Sequence, residues 1–172
     1  MAELAENTEI EQIEEKKLEH LVQFLSFTLG DEEYGVDILC VQEIRSWEPV
    51  SRIPNVPSYE KGVVNLRGAI VPIIDLRERF GLGHLAYTAL TVVVVLQTQV
   101  EVGQNQVMGL VVDSVSDVID VEKKSIQKAP DFGTKVSTEF INGLASVNER
   151  MVMLLDVNKL LKLEDLDEDD ES

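Results

Sequence analysis

Two segments of this chain recur further along it, in the same order, and that constrains the fold most. Gly35 to Ile44 reads GVDILCVQEI; 74 residues later, Gly109 to Val118 reads GLVVDSVSDV. Gly35 aligns with Gly109, Val41 with Val115, Glu43 with Asp117 and Ile44 with Val118. Gly62 to Phe80 reads GVVNLRGAIVPIIDLRERF; 81 residues later, Gly143 to Leu161 reads GLASVNERMVMLLDVNKLL. Leu66 then aligns with Val147, Ile73 and Ile74 with Leu154 and Leu155, and Asp75 with Asp156. A period of about 75–80 residues is too long for a solenoid unit. Two copies of one small β unit account for it. Chance similarity among β-rich segments is the competing explanation.

Short runs rich in β-branched residues dominate between residues 21 and 155. Val22 to Leu29 reads as a strand with Leu25, Phe27 and Leu29 on one face. A turn follows at Gly30 to Glu33, and Tyr34, Val36 and Ile38 then alternate. The three-residue spacing of Val41 and Ile44 suggests one helical turn. Pro49, Pro54 and Pro57 mark residues 48–60 as a loop, because proline cannot donate to a central ladder. Gly62 to Leu66 and Ala69 to Ile74 form a hairpin around Arg67-Gly68. Asp75 caps a short helix from Leu76 to Phe80, which Gly81 ends. A second hairpin joins Thr91–Gln97 to Gln106–Val112 around Gly103-Gln104-Asn105. A third joins Ile141–Val147 to Met151–Leu155 around Asn148-Glu149. Asp156 caps a last helix ending near Leu163. Strands at this spacing suit small β-barrels or a sandwich.

The chain has 172 residues, enough for about one domain or two very small ones. Its net charge is −17, which disfavours nucleic acid and anionic lipid as partners. Residues 1–20 carry seven acids and two bases, and residues 164–172 carry seven acids and no base. Both tails read as solvated and disordered, the first with a marginal amphipathic helix through Ile10, Ile13 and Leu18. Trimming them should remove most of the charge and little of the binding. The first 20 residues lack an apolar run, so no signal peptide is expected. No apolar stretch approaches the roughly 20 residues that span a bilayer. Cys40 is the single cysteine and reads as a small buried hydrophobe. These features point to the cytoplasm.

Catalytic constellations are scarce. GxxxxGK[ST] and GxSxG do not occur, and Gly81-Leu82-Gly83 lacks a third glycine. His20 and His84 with one cysteine cannot build a Cys/His zinc site. Glu32-Glu33 sits in a turn and is no positioned acid–base pair. The balance favours binding over catalysis, with a carboxylate-dependent hydrolase as the remote alternative. No metal or cofactor is expected. Arg67 stands at a tight hairpin turn, and Glu43 stands beside the aliphatic Val41 and Ile44. An acid–base pair flanked by exposed aliphatics suits a peptide-docking groove. On composition alone an ordinary surface ion pair, worth about 0–1 kcal/mol, is the favoured reading.

Leu29 to Ile38 (LGDEEYGVDI) and Val41 to Arg45 (VQEIR) resemble the CheW-like family of bacterial chemotaxis coupling proteins. So do Lys61 to Gly68 (KGVVNLRG), Ile70 to Arg77 (IVPIIDLR), Val111 to Asp113, and Val115 to Val118. The resemblance runs from about residue 21 to 163. It implies a mostly β fold of two five-stranded SH3-like β-barrels with short helices, including a C-terminal helix. The expected division is about 21–85 and 86–150, with strand and helix 151–163 a candidate to return to the first barrel. The resemblance also implies a non-enzymatic adaptor with two partners. One is the cytoplasmic tip of a chemoreceptor; the other is the regulatory domain of the histidine kinase CheA. It would act in the cytoplasm at membrane-associated receptor arrays, without direct membrane contact, and be monomeric when free. Alternatives are an adaptor of a non-flagellar chemosensory pathway or a detached kinase regulatory domain. The chain's start at Met1 and its polar end argue against the detached domain. By the resemblance, Val41, Glu43, Ile44, Gly62, Asn65, Arg67 and Val118 would form a receptor-binding groove between the barrels. Pro130, Asp131 and Phe132 would contact the kinase.

Overall fold

The computed structural model describes residues 7–13, 20–82, 86–101, 104–128 and 138–160. A helix, α1, covers 7–13 with Ile10 and Ile13 facing solvent; Leu18 lies outside the described residues. Ten strands follow: β1 Leu21–Leu29, β2 Glu32–Asp37, β3 Val41–Ser46, β4 Glu60–Leu66, β5 Ala69–Asp75, β6 Val92–Glu101, β7 Gln104–Val112, β8 Ser114–Glu122, β9 Ile141–Val147 and β10 Arg150–Leu155. Helix α2 spans Leu76–Arg79, and α3 covers 157–160.

The strands form two five-stranded sheets, ordered β8-β1-β2-β10-β9 and β3-β6-β7-β5-β4. These orders are the same under the sequence repeat: β6 stands for β1, β7 for β2, β3 for β8, β5 for β10 and β4 for β9. The register agrees residue by residue. Gly35 pairs with Leu154 where β2 meets β10 in parallel, and Gly109 pairs with Ile73 where β7 meets β5. The aligned residues of the repeat are thus structural equivalents. Both hairpin turns hold two successive left-handed residues, Arg67-Gly68 (φ 54° and 88°) and Asn148-Glu149 (φ 50° and 67°). That is the geometry that matches the strand twist of a two-residue hairpin. Each isolated bridge also has its counterpart, Ser51 with Val63 and Gln127 with Leu144.

The expected division near residue 85 does not follow the sheets. The first sheet takes β1 and β2 from the first half and β8, β9 and β10 from the second; the other sheet takes β3 to β7. Three strands of each half, β3 to β5 and β8 to β10, are therefore exchanged between the halves. The physical reason is the pair of crossings at Asp37–Val41 and Asp113. Asp37 accepts a hydrogen bond from Leu39 N at 3.0 Å and turns the chain through a 3₁₀ turn, Ile38–Cys40, onto the other sheet. Residues 41–46 are then strand, so the helical turn expected at Val41–Ile44 lies just before them. The second hairpin is longer than expected, with Gln104 and Asn105 already in β7. Glu32 and Glu33 are strand residues of β2, held by Tyr34 Oη and Ser26 Oγ at 3.0 Å each.

Three apolar clusters hold this arrangement. Phe24, Val121, Ala145, Val152 and Leu154 fill one sheet's concavity, and Val71, Ile73, Val93, Val95 and Val111 fill the other's. The largest cluster lies between the sheets. Leu25, Phe27, Leu29, Tyr34 and Val36 from one meet Ile74, Val94, Leu96, Met108, Leu110 and Val112 from the other. Full burial of each such side chain is worth about 1.5–3 kcal/mol, so most of the apolar stabilisation is shared by the two sheets.

Candidate functional site

On β3, register with β6 shifts between Val41 and Glu43, so Gln42 is an extra residue. Such a bulge re-aims the side chains that follow it. Val41 packs at the edge of the central core, while Ile44 is 45% exposed. Glu43 lies between two arginines. Its Oε2 is 3.8 Å from Arg67 Nη2, and its Oε1 is 3.9 Å from Arg45 Nη1. Both distances exceed those of an N–H···O hydrogen bond. One carboxylate thus faces two loosely held guanidiniums, and the Arg67 side chain is 90% exposed.

The hairpin between β4 and β5 presents Arg67. Asn65 Oδ1 accepts a hydrogen bond from Gly68 N at 2.9 Å and closes the turn. Gly62 is buried at φ +145°, where a Cβ would stand 2.1 Å from the Ser51 carbonyl oxygen. Only glycine fits there. Gly62 and Asn65 therefore shape the hairpin, and any part they take in binding runs through the backbone they set. Beyond Arg67, Ile70 is 73% exposed. Sequence reasoning missed it, although the signal was present: Val71 and Ile73 face inward, so alternation turns Ile70 outward.

The structure brings Glu43 and Arg67 together and sets Val118 on β8 of the other sheet. Val118 and Ile44 are equivalent under the repeat and are 46% and 45% exposed. Val41 and Val115 are likewise both packed on the central core. The symmetry breaks at the charges: Asp117 matches Glu43, but Asn148 stands where Arg67 does. Only one of the two sheets carries the acid–base pair. Pro130, Asp131 and Phe132 lie outside the described residues.

A buried charge network was not foreseen from sequence. Arg77 on α2 is fully enclosed. Its Nε and Nη2 donate to Asp75 Oδ1 and Oδ2 at 2.9 Å each, and its Nη1 donates to Asp113 Oδ1 at 3.0 Å. The Asp75 hydrogen bonds hold the guanidinium above its ordinary pKa against the opposing effect of burial. The other oxygen of Asp113 accepts from Gly30 N at 2.7 Å, in the β1–β2 turn. The network thus spans both sheets. The repeat offers no second copy, since Asn158 occupies the position of Arg77.

Burial pushes the Cys40 thiol up, and Asp37 and Asp156 act the same way. It is thus held protonated beside the core, which suits packing better than nucleophilic chemistry. Among the described residues, no group of three or more His, Cys, Asp or Glu side chains could hold a metal ion. No helix among them is long and apolar enough to cross a membrane. A cavity of about 670 Å³ lies beneath loop 48–60, lined by Arg52, Ile53, Pro57 and Lys61. Lys61 and Glu78 in its wall pair with each other at 2.7 Å.

A family model described as "CheW-like domain" matches residues 23–165. The chain is 51% identical over 144 residues to "Chemotaxis protein CheW" of Klebsiella aerogenes, covering 84% of each protein. It is 32% identical to the protein of that name from Treponema pallidum, again covering 84% of each. A solved structure titled scaffolding protein TtCheW, from Thermoanaerobacter tengcongensis, superposes with a TM-score of 0.72 at 32% identity. The match covers 81% of this chain and 86% of that one.

Proposed function

The chain belongs to the CheW-like domain family and is a chemotaxis coupling adaptor, and from that premise we propose how it couples. It is a non-catalytic connector that holds a chemoreceptor tip and the histidine kinase CheA in fixed relative geometry. The receptor's helical hairpin docks on the face carrying Glu43, Arg67, Ile44 and Ile70, with Val118 receiving it from the other sheet. The aliphatics take the apolar side of a receptor helix, and the two charges set its register. The observation that carries this reading is the exposed Arg67–Glu43 pair between half-exposed aliphatics, present on one sheet and absent from its symmetry mate. Kinase binding falls to other residues, with Pro130, Asp131 and Phe132 assigned by the family resemblance. The protein works in the cytoplasm at receptor arrays, where linked weak contacts gain strength through effective concentration.

A three-component pull-down with CheA and a receptor signalling fragment tests this reading. Both partners should be retained together, and failure to retain the receptor fragment would remove the docking face from consideration. Within that assay, Val118→Asp should weaken receptor binding at least about 30-fold, or about 2 kcal/mol. A carboxylate without a partner is costly in an apolar contact. Val118 is half-exposed on an edge strand, so thermal unfolding should move by no more than about 0.5 kcal/mol. Unaltered receptor affinity in the folded variant would show that the second sheet takes no part.

A further inference from the structure

We propose that the acidic segment Glu164–Glu171 of this chain docks on the Arg45–Arg67 face and competes there with the receptor. This rests on the reading of that face as the receptor groove. Three observations carry it. First, among the described residues Glu43 is the carboxylate shared by Arg45 and Arg67, both at separations too long for a hydrogen bond. Around that carboxylate two guanidiniums thus face one acid, with Glu48 lining the same pocket as Arg45, within a chain of net charge −17.

Second, the described chain ends beside that face. The Thr98 hydroxyl donates to Asn158 Oδ1 on α3, and Gln42, the residue before Glu43, donates to Gln97 on the same strand as Thr98. Glu43 pairs with Val95, three residues from Thr98, or about 10 Å along the strand. Third, length and charge suit the contact. Residues 161–172 can extend about 40 Å, and they contain Glu164, Asp165, Asp167, Glu168, Asp169, Asp170 and Glu171. A short tether gives millimolar effective concentration, so individually weak, screened contacts suffice.

The test compares the full chain with a full-length variant whose seven tail acids become Gln and Asn. Without receptor, amide nitrogen–proton spectra should differ at Ile44, Arg45, Arg67 and Gly68. A receptor signalling fragment should bind the variant about 5-fold tighter at 50 mM salt, as expected from about 1 kcal/mol of exposed ion pairing. At 500 mM salt the difference should fall below about twofold, because screening shortens the reach of exposed charges. Shifts confined to Lys123, Lys124 and Lys128, or absent altogether, overturn the docking. Shifts at the arginine face with equal receptor affinities overturn the competition. If the receptor fragment binds neither protein, the groove reading fails, while the receptor-free spectra still decide where the tail lies.

Discussion

Arg77→Met is expected to remove about 3–5 kcal/mol of folding stability, a large part of the 5–15 kcal/mol of a typical domain. Methionine fills similar volume, so the loss arises from charge. Asp75 is fully buried, and both its oxygens take hydrogen bonds from the Arg77 side chain. Without the guanidinium its carboxylate would be enclosed after losing both side-chain bonds, keeping the Arg77 N–H bond at 3.1 Å. Burying a charge without a partner is the costly half of breaking an ion pair, whereas replacing both members is often neutral. Asp75→Leu combined with Arg77→Met should therefore regain part of the loss. Urea unfolding reads this as a midpoint about 2 M lower for the single variant, with the double variant between it and wild type. A midpoint within 0.3 M of wild type for Arg77→Met would show that the network contributes little.

Arg67→Glu has the largest expected effect on binding. Receptor affinity should fall more than about 100-fold, corresponding to the 2–5 kcal/mol lost when one member of an interfacial charge pair is removed. The reversed charge would also face Glu43 across the same short gap. The fold should be retained, because the Arg67 side chain is 90% exposed. The turn also tolerates glutamate in a left-handed conformation: Glu149 adopts φ 67° in the equivalent hairpin. An unfolding midpoint equal to wild type with receptor binding lost is the expected pair of results. Retained affinity would place the receptor elsewhere.

Much of the fold was legible in the sequence because burial imposes alternation. Leu25, Phe27 and Leu29 face the central core as their spacing requires, and both hairpin turns lie where Arg67-Gly68 and Asn148-Glu149 stand. The sequence pattern does not mark β8 as a strand, and the Val41–Ile44 spacing suggests a helical turn where β3 runs. They are equivalent in the repeat and fail for one reason. Each is the outermost strand in its sheet order, with most residues exposed or half-exposed, so Glu43, Arg45, Asp117 and Asp120 interrupt the apolar pattern. The exchange of strands between halves was hidden apart from the C-terminal strand, which the resemblance offers as returning to the first barrel and which pairs with β2. A repeat shows which residues are equivalent; it carries no information on which copy pairs with which. The Glu43–Arg67 pair was legible from residue type and position. Arg77 was not, since a charged residue in a helix's first turn ordinarily faces water.

The order of strands has a consequence for how the chain is made. One sheet is continuous in sequence, from Val41 to Val112, and sits between the two parts of the other. During synthesis at about 5–20 residues per second, β1 and β2 emerge seconds before β8, the partner that covers β1. The continuous sheet can complete first and bring Asp37 and Asp113 to the same side of the molecule. That removes the entropy of closing the long loop that otherwise separates β2 from β8. Pulsed hydrogen exchange during refolding should then find β6 and β7 protected before β1 and β8. Simultaneous protection would mean that the nested segment gives no head start. An early inner sheet would act as the template on which the first and last parts of the polypeptide find each other.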